Sequence, residues 1–528
     1  MNKKPHLLLF NPDQLRADAI GHLGHPGAPT PFVDAWVESD AVSFANACCQ
    51  APVCTPSRCS FTTGLYPHVF GHRSLHHMLH ADRGQVNMFK VLRDNGYFVW
   101  WGGKNDLIAG PEGPEDYSDI YFQPGDDFYR RHQGRPQTDM HRGDQSWRGA
   151  PGSDTYYSFL RGELKHDPAD GVYLDSDWQN VLGAIDFIES APKDQPLCIY
   201  LPILFPHPPY GVETEFYELT RNAPLPPRRQ LDAEQLSRKP EMLRAIRQAQ
   251  GLTGWSEEQW DRLRRTYFGM VARIDRQFAM LVEALKRAGI YDDTAVFLFS
   301  DHGDYTGDYD VVEKSQNTFE DPLVRVPLIV KPPGDRPVVP GVRDGVMAEL
   351  VDLAATVYEF AGVDPGYDHF GKPLSPALAS PAASHKQYAF CEGGRREDEM
   401  QASERESLSQ FGPHPEDGLY FPRINIQVTD GRAHGRAVMI RSVDHKFVHR
   451  LDGKDEFYDL RKDPLELDNR ISDPACASVV AAMKERLLTW YLDTSDIVPR
   501  VTDSRWPKRV SAQTGTSGAS PPEPQVER

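Results

Sequence analysis

Cys54-Thr55-Pro56-Ser57-Arg58 is the densest concentration of reactive residue types in the chain. Pro56 suits the first position of a helix, with Thr55 before it as cap and Gly64 as the stop. That places Cys54 at a helix N-terminus, where free N–H groups and the dipole favour an anion. Arg58, four residues on, faces the same side. The plainer reading is a Thr-capped helix with a buried cysteine beside it. Cys48, Cys49, Cys54 and Cys59 contain no C-x2-C pair for zinc, and seven cysteines in 528 residues make no disulfide scaffold. A cysteine in such a chain is most often a small buried hydrophobe.

Other polar residues follow apolar runs that read as strands. His6 to Phe10 leads to Asp13 and Gln14, and Tyr97 to Trp101 leads to Lys104 and Asp106. Leu197 to Leu201 leads to His207 within Phe205-Pro206-His207-Pro208-Pro209, and Ala295 to Ser300 leads to Asp301 and His302. In an open parallel sheet, ligands bind beyond the carboxyl ends of the strands, so these residues are expected on one rim. Taken singly, an Asp after a strand is a turn or helix cap, and a lone His is a structural residue. Together, oxygen donors with one nitrogen suit a hard or borderline divalent cation.

The elements that must position them alternate short apolar runs with amphipathic stretches, which predicts an α/β fold. The expected architecture is a large mixed, mainly parallel sheet sandwiched by helices in residues 1–385. A smaller C-terminal subdomain with an antiparallel sheet is expected over 386–500, from the strand patterns Ala437 to Arg441, Lys446 to Leu451 and Glu456 to Leu460. The tail 501–528, rich in Ser, Gly, Pro and Gln, reads as disordered. Ser256 and Gln259 have capping-box spacing at the head of a long helix running to Gly289. Residues 106–175 read as an irregular insertion whose aromatics (Tyr117, Tyr121, Phe122, Phe128, Tyr129) either shape a pocket or pack on the sheet.

Bulk properties narrow the partners. A formal net charge of −18 disfavours nucleic acid and anionic membranes, and no stretch has the length to span a bilayer. The four apolar residues Leu7 to Phe10 are too few for a signal peptide and no cleavage site follows, so a cytoplasmic enzyme is expected. An acidic chain binds an anionic ester only by gathering cations locally. A homo-oligomer is compatible with all of this but is not read from the sequence.

The chain also resembles a known family. Cys54-Thr55-Pro56-Ser57-Arg58 matches the C-x-P-S-R signature of formylglycine-dependent sulfatases, members of the alkaline-phosphatase superfamily. Thr63-Gly64-Leu65-Tyr66-Pro67-His68 resembles its continuation. Asp13-Gln14-Leu15-Arg16 and Ser300-Asp301-His302-Gly303-Asp304 resemble the two metal-binding segments, and Lys314 falls where an active-site lysine is expected. Phe457 to Glu466 resembles the C-terminal signature, so the likeness runs from about residue 5 to about residue 470.

The resemblance implies that a maturation enzyme oxidises Cys54 to formylglycine. One hydroxyl of its hydrate attacks sulfur and the alcohol leaves; the second hydroxyl then helps expel sulfate and restores the aldehyde. Asp13, Gln14, Asp301 and His302, with the residue at 54, would hold one divalent metal: calcium first, manganese or magnesium as alternatives. Arg58, Lys104 and Lys314 would neutralise the anionic group, and His207 would give the proton to the leaving oxygen.

Two departures from the family pattern stand out. Gly103-Lys104-Asn105-Asp106 lies where many sulfatases have Gly-Lys-x-His, so Asp106 or another group such as His72 would take over that histidine's part. Gln14 and His302 stand where many relatives carry Asp and Asn. These metal pairs are similar to those of phosphonate monoester and phosphodiester hydrolases, which share the formylglycine and form the alternative reading. A non-catalytic descendant is disfavoured, because nucleophile, metal positions and cations are all retained. The histidines His68, His72, His76, His77 and His80 are expected either along the substrate pocket or on exposed loops.

Overall fold

The computed structural model describes residues 4–506 except 111–112, 133–145, 166–173, 193 and 412. Its centre is an eight-stranded sheet built from β1 (His6–Asp13), β2 (Val42–Phe44), β3 (Phe98–Gly102), β4 (Ile120–Phe122), β5 (Leu197–Pro206), β6 (Thr294–Phe299), β7 (Leu328–Lys331) and β8 (Gly341–Arg343). The order across the sheet is β8-β2-β7-β6-β1-β5-β3-β4. β7 runs antiparallel to both of its neighbours, while the other pairings are parallel. The four strands expected to feed the site therefore lie side by side as β6-β1-β5-β3, with their carboxyl ends on one edge.

Alternation along β1 shows why the sheet is covered on both faces, since successive side chains point to opposite sides. Leu8 and Phe10 join the cluster containing Trp178 and Phe278, which belong to α2 (Ser176–Ser190) and α3 (Glu257–Arg287). Leu7 and Leu9 pack on the other side with Phe61 of α1 (Cys54–Thr63) and Leu353 of α4 (Val351–Ala361). Burial on both faces explains why these strands read as unbroken apolar runs. The α3 capping box forms as expected, Ser256 and Gln259 each accepting from the other's backbone N–H.

A four-stranded antiparallel sheet, β9 (Ala389–Gly393), β10 (Ala437–Arg441), β11 (His445–Arg450) and β12 (Glu456–Asp459), lies in the C-terminal part. α6 (Ala477–Thr494) covers it, with Trp490 stacked on Phe390 at a centroid distance of 4.5 Å. Arg441 reaches Asp321 at 2.9 Å and Lys446 reaches it at 2.6 Å, joining this sheet to the segment before β7. Another helix of this region, α5 (Phe421–Thr429), matters for the site below.

Two expectations need correction. The 106–175 stretch is not wholly irregular, because β4 extends the large sheet at its edge. Its aromatics pack rather than shape a pocket: Tyr117 is buried, and Phe122 lies against Trp100 and Phe128 at 5.4 and 5.7 Å. The α1 cap falls two residues earlier than expected. Val53 is the N-cap and Cys54 the first helical residue, while the Thr55 hydroxyl donates to the Leu75 carbonyl at 3.3 Å instead of capping. Pro56 is tolerated in that first turn because N–H groups there have no partner inside the helix. All but residues 501–506 of the C-terminal tail lies outside the described residues. Among the described residues no helix is long and apolar enough to cross a membrane.

Candidate active site

Four strand ends and one helix N-terminus meet at Cys54. Its Sγ lies 3.2 Å from His302 Nε2, 3.6 Å from Asp13 Oδ1, 3.4 Å from Lys314 Nζ and 3.7 Å from Lys104 Nζ. Burial, followed by the Asp13 charge, pushes the Cys54 thiol up, while Lys104 and Lys314 pull the other way.

The residues fit a divalent cation. Ligand atoms of Asp13, Cys54, Asp301 and His302 all lie within 4.8 Å of one another, and all four residues are buried. His302 Nδ1 sits 3.0 Å from the Gly303 carbonyl, which makes Nδ1 the protonated nitrogen and turns the Nε2 lone pair into the cluster. Burial pulls the His302 pKa down, so the ring stays neutral, as a ligand must. Burial opposes the charge on Asp13, but the Lys104, Arg58 and Lys314 cations hold its carboxyl well below the usual range.

Gln14 joins this cluster through a strained backbone. Its φ of 69° lies in the left-handed region that non-glycine residues seldom adopt. Its N–H donates to Asp301 Oδ1 at 3.1 Å and its Nε2 to Asp304 Oδ2 at 2.6 Å, which leaves Oε1 to accept from Lys314 at 2.8 Å. Asp304 is itself held by the Tyr210 hydroxyl and by Thr306. The amide orientation of Gln14 is therefore set by a carboxylate that cannot donate.

Arg58 points somewhere other than expected. Its Nε donates to Asp301 Oδ2 at 2.9 Å and its Nη2 to Asp13 Oδ2 at 3.0 Å, so it braces the two carboxylates and does not line the cavity. Two acidic groups so close repel, and a guanidinium fork between them offsets that repulsion. Of the three cations expected to meet the anionic group, Lys104 and Lys314 do line the cavity. Lys104 is paired with Asp13 at 2.7 Å and with Asp106 at 2.8 Å. Asp106, at the position where many sulfatases have a histidine, thus lies beside a lysine at the cavity wall.

His207 follows β5, whose end is fixed by Asp177. Both Asp177 carboxylate oxygens accept from backbone N–H groups, of Leu204 and Phe205, each at 2.8 Å. The His207 Nδ1 lies 2.7 Å from the Pro208 carbonyl. Burial, then the Lys314 and Lys104 charges, pull its pKa well down. The ring is thus neutral in the free protein, with Nε2 unprotonated.

A cavity of about 240 Å³ opens onto these groups, lined by Cys54, Lys104, His207 and Lys314 at its base. Sequence reasoning missed its outer wall, where Glu404, Tyr420, Arg423 and Ile424 come from the segment around α5. Nothing in the local pattern near residue 420 marks it as part of a site more than 300 residues from Cys54. Of the histidine-rich stretch 68–80, it is Leu75 that lines the cavity. His68 instead pairs with Glu392 at 2.7 Å, and His76 with Ser407 at 3.0 Å.

The chain is similar to known proteins over most of its length. A family model described as Sulfatase matches residues 5–363. The multifunctional alkaline phosphatase superfamily protein PehA of Trinickia caryophylli is 24% identical, over 93% of this chain and 96% of that one. The choline-sulfatase of Rhizobium meliloti (strain 1021) is 24% identical, over 95% and 90%. Among solved structures, the phosphonate monoester hydrolase of Agrobacterium radiobacter superposes with a TM-score of 0.69 at 23% identity, covering 93% of this chain and 96% of that one.

Proposed function

This chain is a sulfuric ester hydrolase of the sulfatase family, and we propose that it splits a small sulfate ester into alcohol and inorganic sulfate, with Cys54 converted to formylglycine as the nucleophile. The observation that carries this reading is the position of Cys54: first residue of α1, in reach of Asp13, His302, Lys104 and Lys314 at once. A maturation enzyme that oxidises the cysteine is the partner this requires.

Asp13, Asp301, His302 and the residue at 54 would hold the divalent ion, with the Gln14 carbonyl beside them. When bound, that ion supplies a Lewis acid that lowers the pKa of the attacking hydroxyl. Calcium suits the two carboxylates and the amide; manganese suits the imidazole equally, and magnesium follows. Lys314 and Lys104 face the cavity, where they neutralise the sulfate oxygens and the charge that develops on the ester oxygen. Arg58 holds the Asp13 and Asp301 carboxylates in register.

His207 is assigned to the leaving alcohol. In the free protein burial and then the two lysines keep it neutral, and an anionic ester between the lysines offsets their repulsion and favours its protonation. Nε2 then hands its proton to the departing oxygen. His207→Ala should lower kcat by about 10²- to 10⁴-fold for an alkyl or phenyl sulfate. The loss should shrink for 4-nitrophenyl sulfate, whose leaving oxygen needs little protonation. Equal losses for both esters would remove the acid assignment.

A second reading is favoured by one observation, the presence of both the Gln14 amide and the His302 ring near the nucleophile. An amide in place of a carboxylate leaves the centre less negative, which also suits a phosphonate monoester or phosphodiester that keeps one ester group. PehA, named as multifunctional, shares the superfamily with this chain.

A further inference from the structure

We infer that the outer wall of the cavity is a leaving-group subsite for a compact, uncharged alcohol, with Tyr420 and Ile424 as its specificity-determining residues. The inference rests on the sulfate-ester reading above and names the part of the substrate that the reading leaves open.

The cavity has two unlike ends. Its base carries Cys54, Lys104, His207 and Lys314, where the charged group belongs. The rest of its lining sets Leu75, Tyr420 and Ile424 beside Asp106, Glu404, Ser407 and Arg423. The Tyr420 ring is held in place between Phe159 at 5.3 Å and His207 at 6.2 Å. Among the described residues its hydroxyl makes no hydrogen bond, while the polar groups around it, Asp106, Glu404, Ser407 and Arg423, are held by other partners. That hydroxyl is therefore free to meet a ligand oxygen. Its contact with His207 places Tyr420 beside the residue that serves the leaving oxygen.

The ionic groups in the wall argue against a charged alcohol. The Arg423 guanidinium is already committed, to Glu313 at 2.9 and 3.1 Å and to Glu404 at 2.6 Å. Glu404 accepts in addition from Gln316 Nε2 at 2.6 Å and is buried. Recruiting either charge to a ligand would strand its buried partner, which is costly. Size points the same way. A cavity of about 240 Å³ is below the ~300–1,000 Å³ usual for drug-sized ligands. A leaving group of about one ring fills it, and the wall reads that group by contact with Ile424 and Leu75 and by the single hydroxyl of Tyr420.

Titration calorimetry on the Cys54→Ala protein with calcium added tests this without turnover, using phenyl sulfate, 4-carboxyphenyl sulfate and 4-(trimethylammonio)phenyl sulfate. Phenyl sulfate should bind about 10-fold more tightly than either charged ester, and Tyr420→Ala in the same background should erase that preference. Tyr420→Phe should keep the preference for the uncharged ring, and Ile424→Val should weaken phenyl sulfate alone. Equal binding of the three esters, tighter binding of a charged one, or no binding at all would overturn the subsite. Turnover of phenyl sulfate by the matured wild-type enzyme is measured separately, so a failed subsite and a failed hydrolase give different results.

Discussion

Cys54→Ala should reduce ester hydrolysis by about 10⁵-fold or more, because removal of a covalent nucleophile leaves only binding and electrostatic contributions. The protein should stay folded. Lys104 keeps Asp13 and Asp106 as partners, and Lys314 keeps Gln14 and Glu313 at 2.8 and 3.3 Å, so neither cation is stranded. Wild-type protein made without a maturation enzyme should be inactive to a similar degree. Burial and Asp13 disfavour the thiolate at this position, and a neutral thiol is a poor nucleophile. Steady-state rates and a thermal melt for the three preparations check this. Full activity in a preparation that mass spectrometry shows to be all cysteine would remove formylglycine from the account.

Asp301→Asn should have the next largest effect, with metal and rate lost together. Asp301 offers one oxygen to the cluster, accepts from Arg58 through the same carboxylate, and receives the backbone N–H groups of Gln14 and His302 at 3.1 and 3.0 Å. An amide there lowers the charge of the ligand set and turns an acceptor into a donor opposite a guanidinium. We expect the bound metal to fall from about one per chain to a small fraction, with turnover falling by about 10²-fold or more. Elemental analysis of the dialysed protein reads the first quantity. Metal content equal to wild type with an impaired rate would place the ion elsewhere.

Much of this site was legible in the sequence, for a specific physical reason. Parallel strands buried on both faces appear as apolar runs, and the polar residue after each run must then stand on the sheet's carboxyl edge. Asp13, Lys104, His207 and Asp301 were readable on those grounds, and the adjacent order β6-β1-β5-β3 brings them together. The C-x-P-S-R match located the nucleophile even though the cap assignment was off, since Cys54 lies at the helix N-terminus under either assignment. Beyond this the local signal fails. The left-handed backbone of Gln14, and the Asp304 carboxylate that orients its amide from 290 residues away, are set by tertiary packing. Tyr420 and Ile424 lie on an ordinary helix and its approach, and only the docking of the C-terminal region over the sheet edge turns them into a cavity wall. Arg58 shows a subtler limit. Spacing placed it on the Cys54 side of α1, but two nearby carboxylates compete for it more strongly than the cavity does.

The central claim is that matured Cys54 serves sulfate ester hydrolysis, and a rate comparison on one preparation tests it most directly. The protein is co-expressed with a formylglycine-generating enzyme, and mass spectrometry confirms conversion at residue 54. An aryl sulfate and an aryl phosphonate monoester with the same leaving group are then compared under identical calcium conditions. The account predicts a kcat/KM for the sulfate about 100-fold or more above that for the phosphonate. A clear preference for the phosphonate would contradict it, and would identify the Gln14 and His302 ligand set as the mark of a phosphoryl-ester enzyme.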